Sequence, residues 1–167
     1  KDELIDRSLE GTRGILEGMH RISARIRSSI LDDLGLIAAL RACSEEHERT
    51  AGAKVEVELD FDEERLPERV SEIVYRIVQE ALTNVQRHAG ASQVWLTLMD
   101  QGGQLVLLVS DDGVGFPAGP AKESSFGLRG LKERAEQLGG NMVLEARPGG
   151  GAQLRLSVPT ESVETVD

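Results

Sequence analysis

Three short stretches of the chain carry side chains whose types and spacing suit the handling of a phosphate, a hard cation and a flat ring. In the first, Glu80, Asn84 and Arg87 fall at i, i+4 and i+7, within an arc of about 60° on an α-helix. Ile77, Val78, Ala81, Leu82 and Val85 occupy the adjoining arc, so the polar trio stands at the margin of an apolar face, where a pocket wall would be. Asn84 offers an uncharged oxygen to Mg²⁺, Glu80 a carboxylate to orient the metal's water, and Arg87 a permanent charge for a phosphate. Taken alone, the trio reads first as a solvated helix face, and the functional reading needs a phosphate and a metal nearby. In the second stretch, Asp111-Asp112-Gly113-Val114-Gly115, two glycines let backbone pass close to a ring, and a carboxylate at a strand end can accept from an exocyclic amine. A tight acidic turn is the plainer alternative. The third, Gly127-Leu128-Arg129-Gly130, follows Ser124 and Ser125 as candidate helix caps, where unpaired N–H groups make an anion site. Arg129, Lys132 and Arg134 add local positive charge there, and a capped surface helix is the alternative.

The elements that must position these residues follow from hydrophobic pattern. Leu9, Leu16, Met19, Ile22, Ile26 and Ile30 recur at helical spacing and predict one helical stripe up to about residue 31. Gly11, Gly14 and Gly18 weaken that helix, which needs a partner to stay folded. Packing on its own domain and half of a hairpin in a dimeric four-helix bundle both satisfy the pattern. Asp32, Asp33 and Gly35 break it, which places a domain boundary near Leu34: residues 1–34, then 35–160, then a tail of 161–167. A second amphipathic stretch runs from Leu36 to Arg49 and stops at Ala51-Gly52, with His47 expected on its solvated face. Val55 to Leu59 alternates as a half-buried strand, and Leu66-Pro67 starts a long helix through His88. Gln93 to Asp100 and Gln104 to Ser110 read as a hairpin across Gly102-Gly103. A Gly/Pro/Ser loop from Phe116 to Ser125 precedes a helix from about Gly127 to Leu138, and strands Asn141 to Ala146 and Ala152 to Val158 close the chain. Without a regular strand-helix-strand beat, this predicts an α+β fold: a two-layer sandwich whose mixed sheet is covered by helices on one face, preceded by an N-terminal helix.

Composition bounds the rest. With 167 residues, 19 basic against 29 acidic side chains and a net charge of -10, the chain is one ordinary domain with an appendage. The negative surplus repels nucleic-acid backbones, so no direct nucleic-acid partner is expected and any bound phosphate must be held locally. Apolar runs are a few residues long, so membrane attachment would have to come from segments upstream of this sequence. Cys43 is the one cysteine, which excludes an internal disulfide and fits a reducing, cytoplasmic setting. An opening at Lys1 with no signal-peptide pattern reads as a fragment of something longer.

The order of these elements resembles the ATP-binding catalytic domain of bacterial sensor histidine kinases, in the group paired with nitrate/nitrite-sensor-type response regulators. The matching stretches are Tyr75 to Asn84 with Glu80 and Asn84, Asp111 to Phe116, Phe126 to Ala135, and Leu138-Gly139-Gly140. Leu31 to Arg41 looks like the family's junction between dimerisation hairpin and ATP domain. The resemblance implies a Bergerat-type fold, ATP and Mg²⁺ as ligands, and Asn84 as metal ligand with Glu80 acting through water. It places Arg87 or His88 near the phosphates, Asp111 as acceptor from the adenine amine, and Gly113 and Gly115 as backbone beside the ring, with Phe116 following. Gly127, Leu128 and Gly130 then lie at the phosphate-side hinge of a lid formed by residues 116–125. Residues 1–34 become the second helix of the dimerisation hairpin.

Two departures stand out. Where the family has Gly-Thr at the start of the last strand, this chain has Gly151-Ala152, so a hydroxyl of the adenine site is missing. No His followed by an acidic residue marks a phosphoacceptor helix; His20 precedes Arg21 and is expected to be an exposed helix residue. The implied activity is transfer of the ATP γ-phosphoryl group to a histidine outside this sequence, for relay to an aspartate of a DNA-binding response regulator, by a protein that is a homodimer at full length. A serine kinase of the anti-sigma type and a non-catalytic nucleotide-sensing dimer module are the competing readings; the Leu31 to Arg41 junction speaks against the first, and the intact Glu80, Asn84 and Asp111 against the second.

Overall fold

The computed structural model describes residues 31–115, 126–147 and 149–160. The chain divides into two compact units, Lys1–Gly35 and Leu36–Asp167. In the first unit only residues 31–35 are described, and they are helical; the expected stripe from Leu9 to Ile30, with His20, lies outside the described residues. Asp32 and Asp33 do not interrupt the helix. Gly35, the last residue of the first unit, has a φ of 82°, a left-handed value that glycine adopts without strain.

The second unit opens with α1 (residues 36–51), which buries Leu36, Ala39, Leu40, Ser44 and His47. Ile37 N–H donates to Glu63 Oε2 at 2.8 Å, pairing one of the amides that a helix start leaves open. His47 departs from expectation: it is 5% exposed, and its Nε2 has no hydrogen-bond partner among the described residues. Positions 36, 40, 44 and 47 recur at helical spacing and form the inward arc, so periodicity outweighs the charged neighbours Glu46 and Glu48. Burial lowers the pKa of the His47 imidazole, and the Glu48 carboxylate opposes that shift.

After β1 (Lys54–Asp60) and a short 3-10 turn (Glu63–Arg65), Pro67 sits at the N-cap of α2 (Glu68–Asn84). Pro67 lends its carbonyl to the N–H groups of Val70 and Ser71. Val70, Val74, Ile77, Val78, Ala81 and Leu82 form the buried stripe of α2. The helix was expected to continue regularly through His88, but Val85–Ala89 is a π turn, closed by Gly90 at φ 58°. Its wider i→i+5 winding moves Arg87 out of the α-helical phase it was expected to share with Glu80 and Asn84.

The strands β2 (Gln93–Asp100), β3 (Gln104–Asp111), β4 (Asn141–Ala146) and β5 (Ala152–Pro159) complete a five-stranded mixed sheet of order β1-β2-β3-β5-β4. Only β1 and β2 are parallel, with α2 in the crossover that such a pair requires. The β2–β3 hairpin turns through Gly102 and Gly103, at φ 65° and 81°, and Asp100 Oδ1 accepts from Gly103 N–H. Register places Leu96 opposite Val109 and Val109 opposite Leu154; Leu98 stands opposite Leu107, Leu107 opposite Leu156, and Leu156 opposite Met142. These side chains are buried, whereas Trp95, Thr97 and Met99 on the alternate face of β2 are half-buried. One face of the sheet thus carries the core, each leucine contributing about 1.5–3 kcal/mol through burial. Over that face α2 packs on β3 and on α3 (Phe126–Gln137), and α3 packs on β4. The α+β sandwich expected from sequence is the fold observed. Among the described residues, no helix is long and apolar enough to cross a membrane.

Candidate functional site

Strand alternation decides what the two adjacent aspartates do. Asp111 is the last residue of β3, in line with Leu107 and Val109, so it points to the core face opposite Val94 and is only 4% exposed. Its Oδ1 accepts from Gly113 N–H at 2.8 Å, a local bond typical of a strand-ending aspartate. Asp112 points the other way and is exposed. Its Oδ1 accepts from Ser92 N–H at 2.8 Å and Gln93 N–H at 2.9 Å, and its Oδ2 from the Ser92 hydroxyl at 2.6 Å. These bonds hold the Asp112 carboxyl below the usual carboxylate range, the Ser92 hydroxyl being the largest cause.

The glycines beside Asp111 are places where backbone meets backbone. A Cβ on Gly113 would lie 2.8 Å from the carbonyl carbon of Ala89, and one on Gly115, where φ is 70°, would lie 2.8 Å from the carbonyl oxygen of Gly151. A Cβ on Gly151 would in turn stand 2.7 Å from the Asp111 carbonyl carbon. Val114 N–H donates to Ala89 O at 2.9 Å. The loop 111–115 is therefore pinned between the end of the π turn and the β4–β5 turn, with Asp111 buried at its base. Val114, between the two glycines, is 80% exposed. The β4–β5 turn has its own support: Arg147 N–H donates to Gly151 O, and the Arg147 guanidinium carbon lies 3.8 Å from the Trp95 ring centroid.

Glu80 and Asn84 are half-buried at the edge of the α2 stripe, while Arg87 and His88 are exposed on the π turn. The contacts of Ala89 with Gly113 and Val114 join the turn that carries Arg87 and His88 to the loop that carries Asp111. A Cβ on Gly130, in α3, would meet no atom of the described residues within 4 Å. Phe116, the expected lid of residues 116–125 and the side-chain surroundings of Gly127 and Leu128 lie outside the described residues. Among the described residues no group of three or more His, Cys, Asp or Glu could hold a metal ion.

Three site features escaped the sequence: the outward clamp formed by Asp112, the π turn, and the seating of Gly151 under Asp111. Only the last had a visible signal, the run Gly149-Gly150-Gly151, whose φ values of 94°, 111° and 91° no ordinary L-residue adopts readily.

Residues 69–162, more than half of the chain, match the family model described as histidine kinase-, DNA gyrase B-, and HSP90-like ATPase. The signal transduction histidine-protein kinase/phosphatase DegS of Brevibacillus brevis is 35% identical over 170 residues, covering 98% of this chain and 44% of the relative. The oxygen sensor histidine kinase NreB of Staphylococcus carnosus is 36% identical over 163 residues, covering 95% of this chain and 47% of its own length. This chain thus spans less than half the length of either relative. Among solved structures, the blue-light activated histidine kinase EL346 of Erythrobacter litoralis shares the fold, with a TM-score of 0.70 at 24% identity over 86% of this chain and 54% of that one.

Proposed function

The chain belongs to the histidine kinase-, DNA gyrase B- and HSP90-like ATPase family, and on that premise we propose that it is the ATP-binding catalytic region of a two-component sensor histidine kinase. The observation that carries this reading is Asp111: a buried carboxylate at a strand end, flanked by Gly113, Gly115 and Gly151, where bare backbone replaces side chains. Such a site accepts a flat purine and takes a hydrogen bond from its exocyclic amine. Asn84 and Glu80 fit Mg²⁺ that arrives with the triphosphate, since this ion keeps most of its water and takes few protein ligands; no dedicated three-residue cage is needed. Asn84 would ligate the ion directly and Glu80 through water. Bound Mg²⁺ would neutralise charge on the β- and γ-phosphates.

The rest of the reading is positional. Arg87 and His88 lie on the π turn and reach the phosphate end, while Gly127, Leu128 and Gly130 form the hinge of a lid at residues 116–125. The γ-phosphorus exchanges its bond to the bridging oxygen of ADP for one to an imidazole nitrogen, and ADP leaves. Catalysis is mainly positioning and charge neutralisation. The accepting histidine lies outside this sequence, residues 1–34 form the second helix of the dimerisation hairpin, and residues 35–160 form the ATP domain. The full protein works as a homodimer on the cytoplasmic side and passes the phosphoryl group to an aspartate of a DNA-binding response regulator.

Titration calorimetry with ATP or ADP and Mg²⁺ tests the reading. Asp111→Asn turns an acceptor oxygen into an amide donor facing the adenine amine and should weaken binding by about 1–3 kcal/mol. Unchanged affinity would remove Asp111 from the site.

A further inference from the structure

We propose that Asp112 is a positioning residue for adenine recognition, acting on Asp111 through the backbone it clamps; this rests on the nucleotide reading above. Asp111 has its carboxylate fixed by the N–H of Gly113, so its aim depends on where Gly113 is held. Two sets of bonds hold it. On one side the Asp112 carboxylate gathers the Ser92 hydroxyl and the N–H groups of Ser92 and Gln93, while Asp112 N–H donates to Gln93 O at 3.2 Å. On the other, Val114 N–H donates to Ala89 O, and Gly113 itself lies against Ala89. Together they sew residues 112–114 to residues 89–93.

The chemistry of the clamp calls for an acceptor side chain. Three donors converge on two oxygens, and a carboxylate accepts from all three without a donor of its own. An asparagine keeps the oxygen facing the two backbone amides and turns its amide toward Ser92, whose hydroxyl can accept instead. Alanine leaves all three donors to water and keeps only the main-chain bonds of Asp112 to Gln93 and of Val114 to Ala89, so Gly113 and the Asp111 carboxylate are held less firmly. The loss falls on the one contact that depends on aim, the hydrogen bond from the exocyclic amine.

That selectivity separates a positioning role from a merely structural one. The measurement is affinity of the 167-residue chain for ATP and for purine riboside triphosphate, which lacks the 6-amino group, each with Mg²⁺. The wild-type chain should prefer ATP. Asp112→Ala should reduce that preference by about tenfold, Asp112→Asn should restore most of it, and Ser92→Ala, which deletes only the hydroxyl bond, should reduce it by about two- to threefold. Circular dichroism confirms that each variant is folded; should Asp112→Ala fail to fold, the Ser92→Ala and Asp112→Asn ratios decide. A preference unchanged in the folded variants, whether or not both affinities fall together, overturns the role of Asp112 and leaves the nucleotide site standing. A wild-type chain with no preference for ATP overturns the assignment of Asp111 and this inference with it.

Discussion

Gly151→Ala should be among the most damaging single-methyl changes in the molecule. Gly151 has φ 91°, a region where an L-residue costs about 1–3 kcal/mol. The new Cβ would also lie 2.7 Å from the Asp111 carbonyl carbon and 3.1 Å from Asp112 Cα, well inside the 3.5–4.0 Å of carbon–carbon contact. Relief requires β5 and the end of β3 to part by about 1 Å, and the obstructing atoms are backbone, which cannot rotate away. Overpacking of this kind costs about 1–3 kcal/mol, for a total of about 2–6 kcal/mol against a whole-domain stability of about 5–15 kcal/mol. Gly150→Ala is the internal control: φ is 111°, but beyond its chain neighbours no atom of the described residues lies within 4 Å of the added carbon, so backbone strain of about 1–3 kcal/mol is the cost that applies. Trp95 is the sole tryptophan and lies in β2, so its fluorescence follows urea unfolding of the sheet. With a slope of about 1–3 kcal/mol per molar urea, the midpoint for Gly151→Ala should fall below that of Gly150→Ala by about 1 M. Equal midpoints would refute the claim that Gly151 is seated against Asp111.

Two further outcomes are expected. His47→Leu should raise stability at neutral pH by about 1 kcal/mol, because it removes a buried nitrogen with no partner. Since burial lowers the His47 pKa from 6.5, the unfolded chain takes up the proton first; the stability this residue contributes is complete above about pH 6.5 and declines as pH falls toward the lower folded value. Urea midpoints at pH 7.5 and pH 5 should differ less in the leucine variant than in the wild-type chain, and identical losses in both chains would count against it. Asn84→Ala should weaken the Mg²⁺-dependent part of ATP binding and spare much of the metal-free part; calorimetry that shows equal loss with and without Mg²⁺ would remove Asn84 as a ligand.

What the residues determined by themselves is whatever depends on neighbours a few positions away. The alternation of Val94, Leu96 and Leu98 marks a strand with one buried face, Gly102-Gly103 closes a hairpin, and Pro67 opens a helix, because pleat, turn and cap are short-range geometry. Asp111 with Gly113 and Gly115 was visible as a candidate for the same reason. Tertiary structure decided what depends on residues far apart in sequence. Insertion of β5 between β3 and β4 brings Gly151 under Asp111, which makes glycine obligatory there. Strand parity turns Asp111 inward and Asp112 outward, and contact with the start of β2 makes the second a clamp on Ser92 and Gln93. The inward arc of α1 buries His47 although its immediate neighbours are charged, since a helix face is chosen by what packs against it. The π turn at Val85–Ala89 has no local signature; it appears where the end of α2 meets the loop after β3, and it sets where Arg87 and His88 stand.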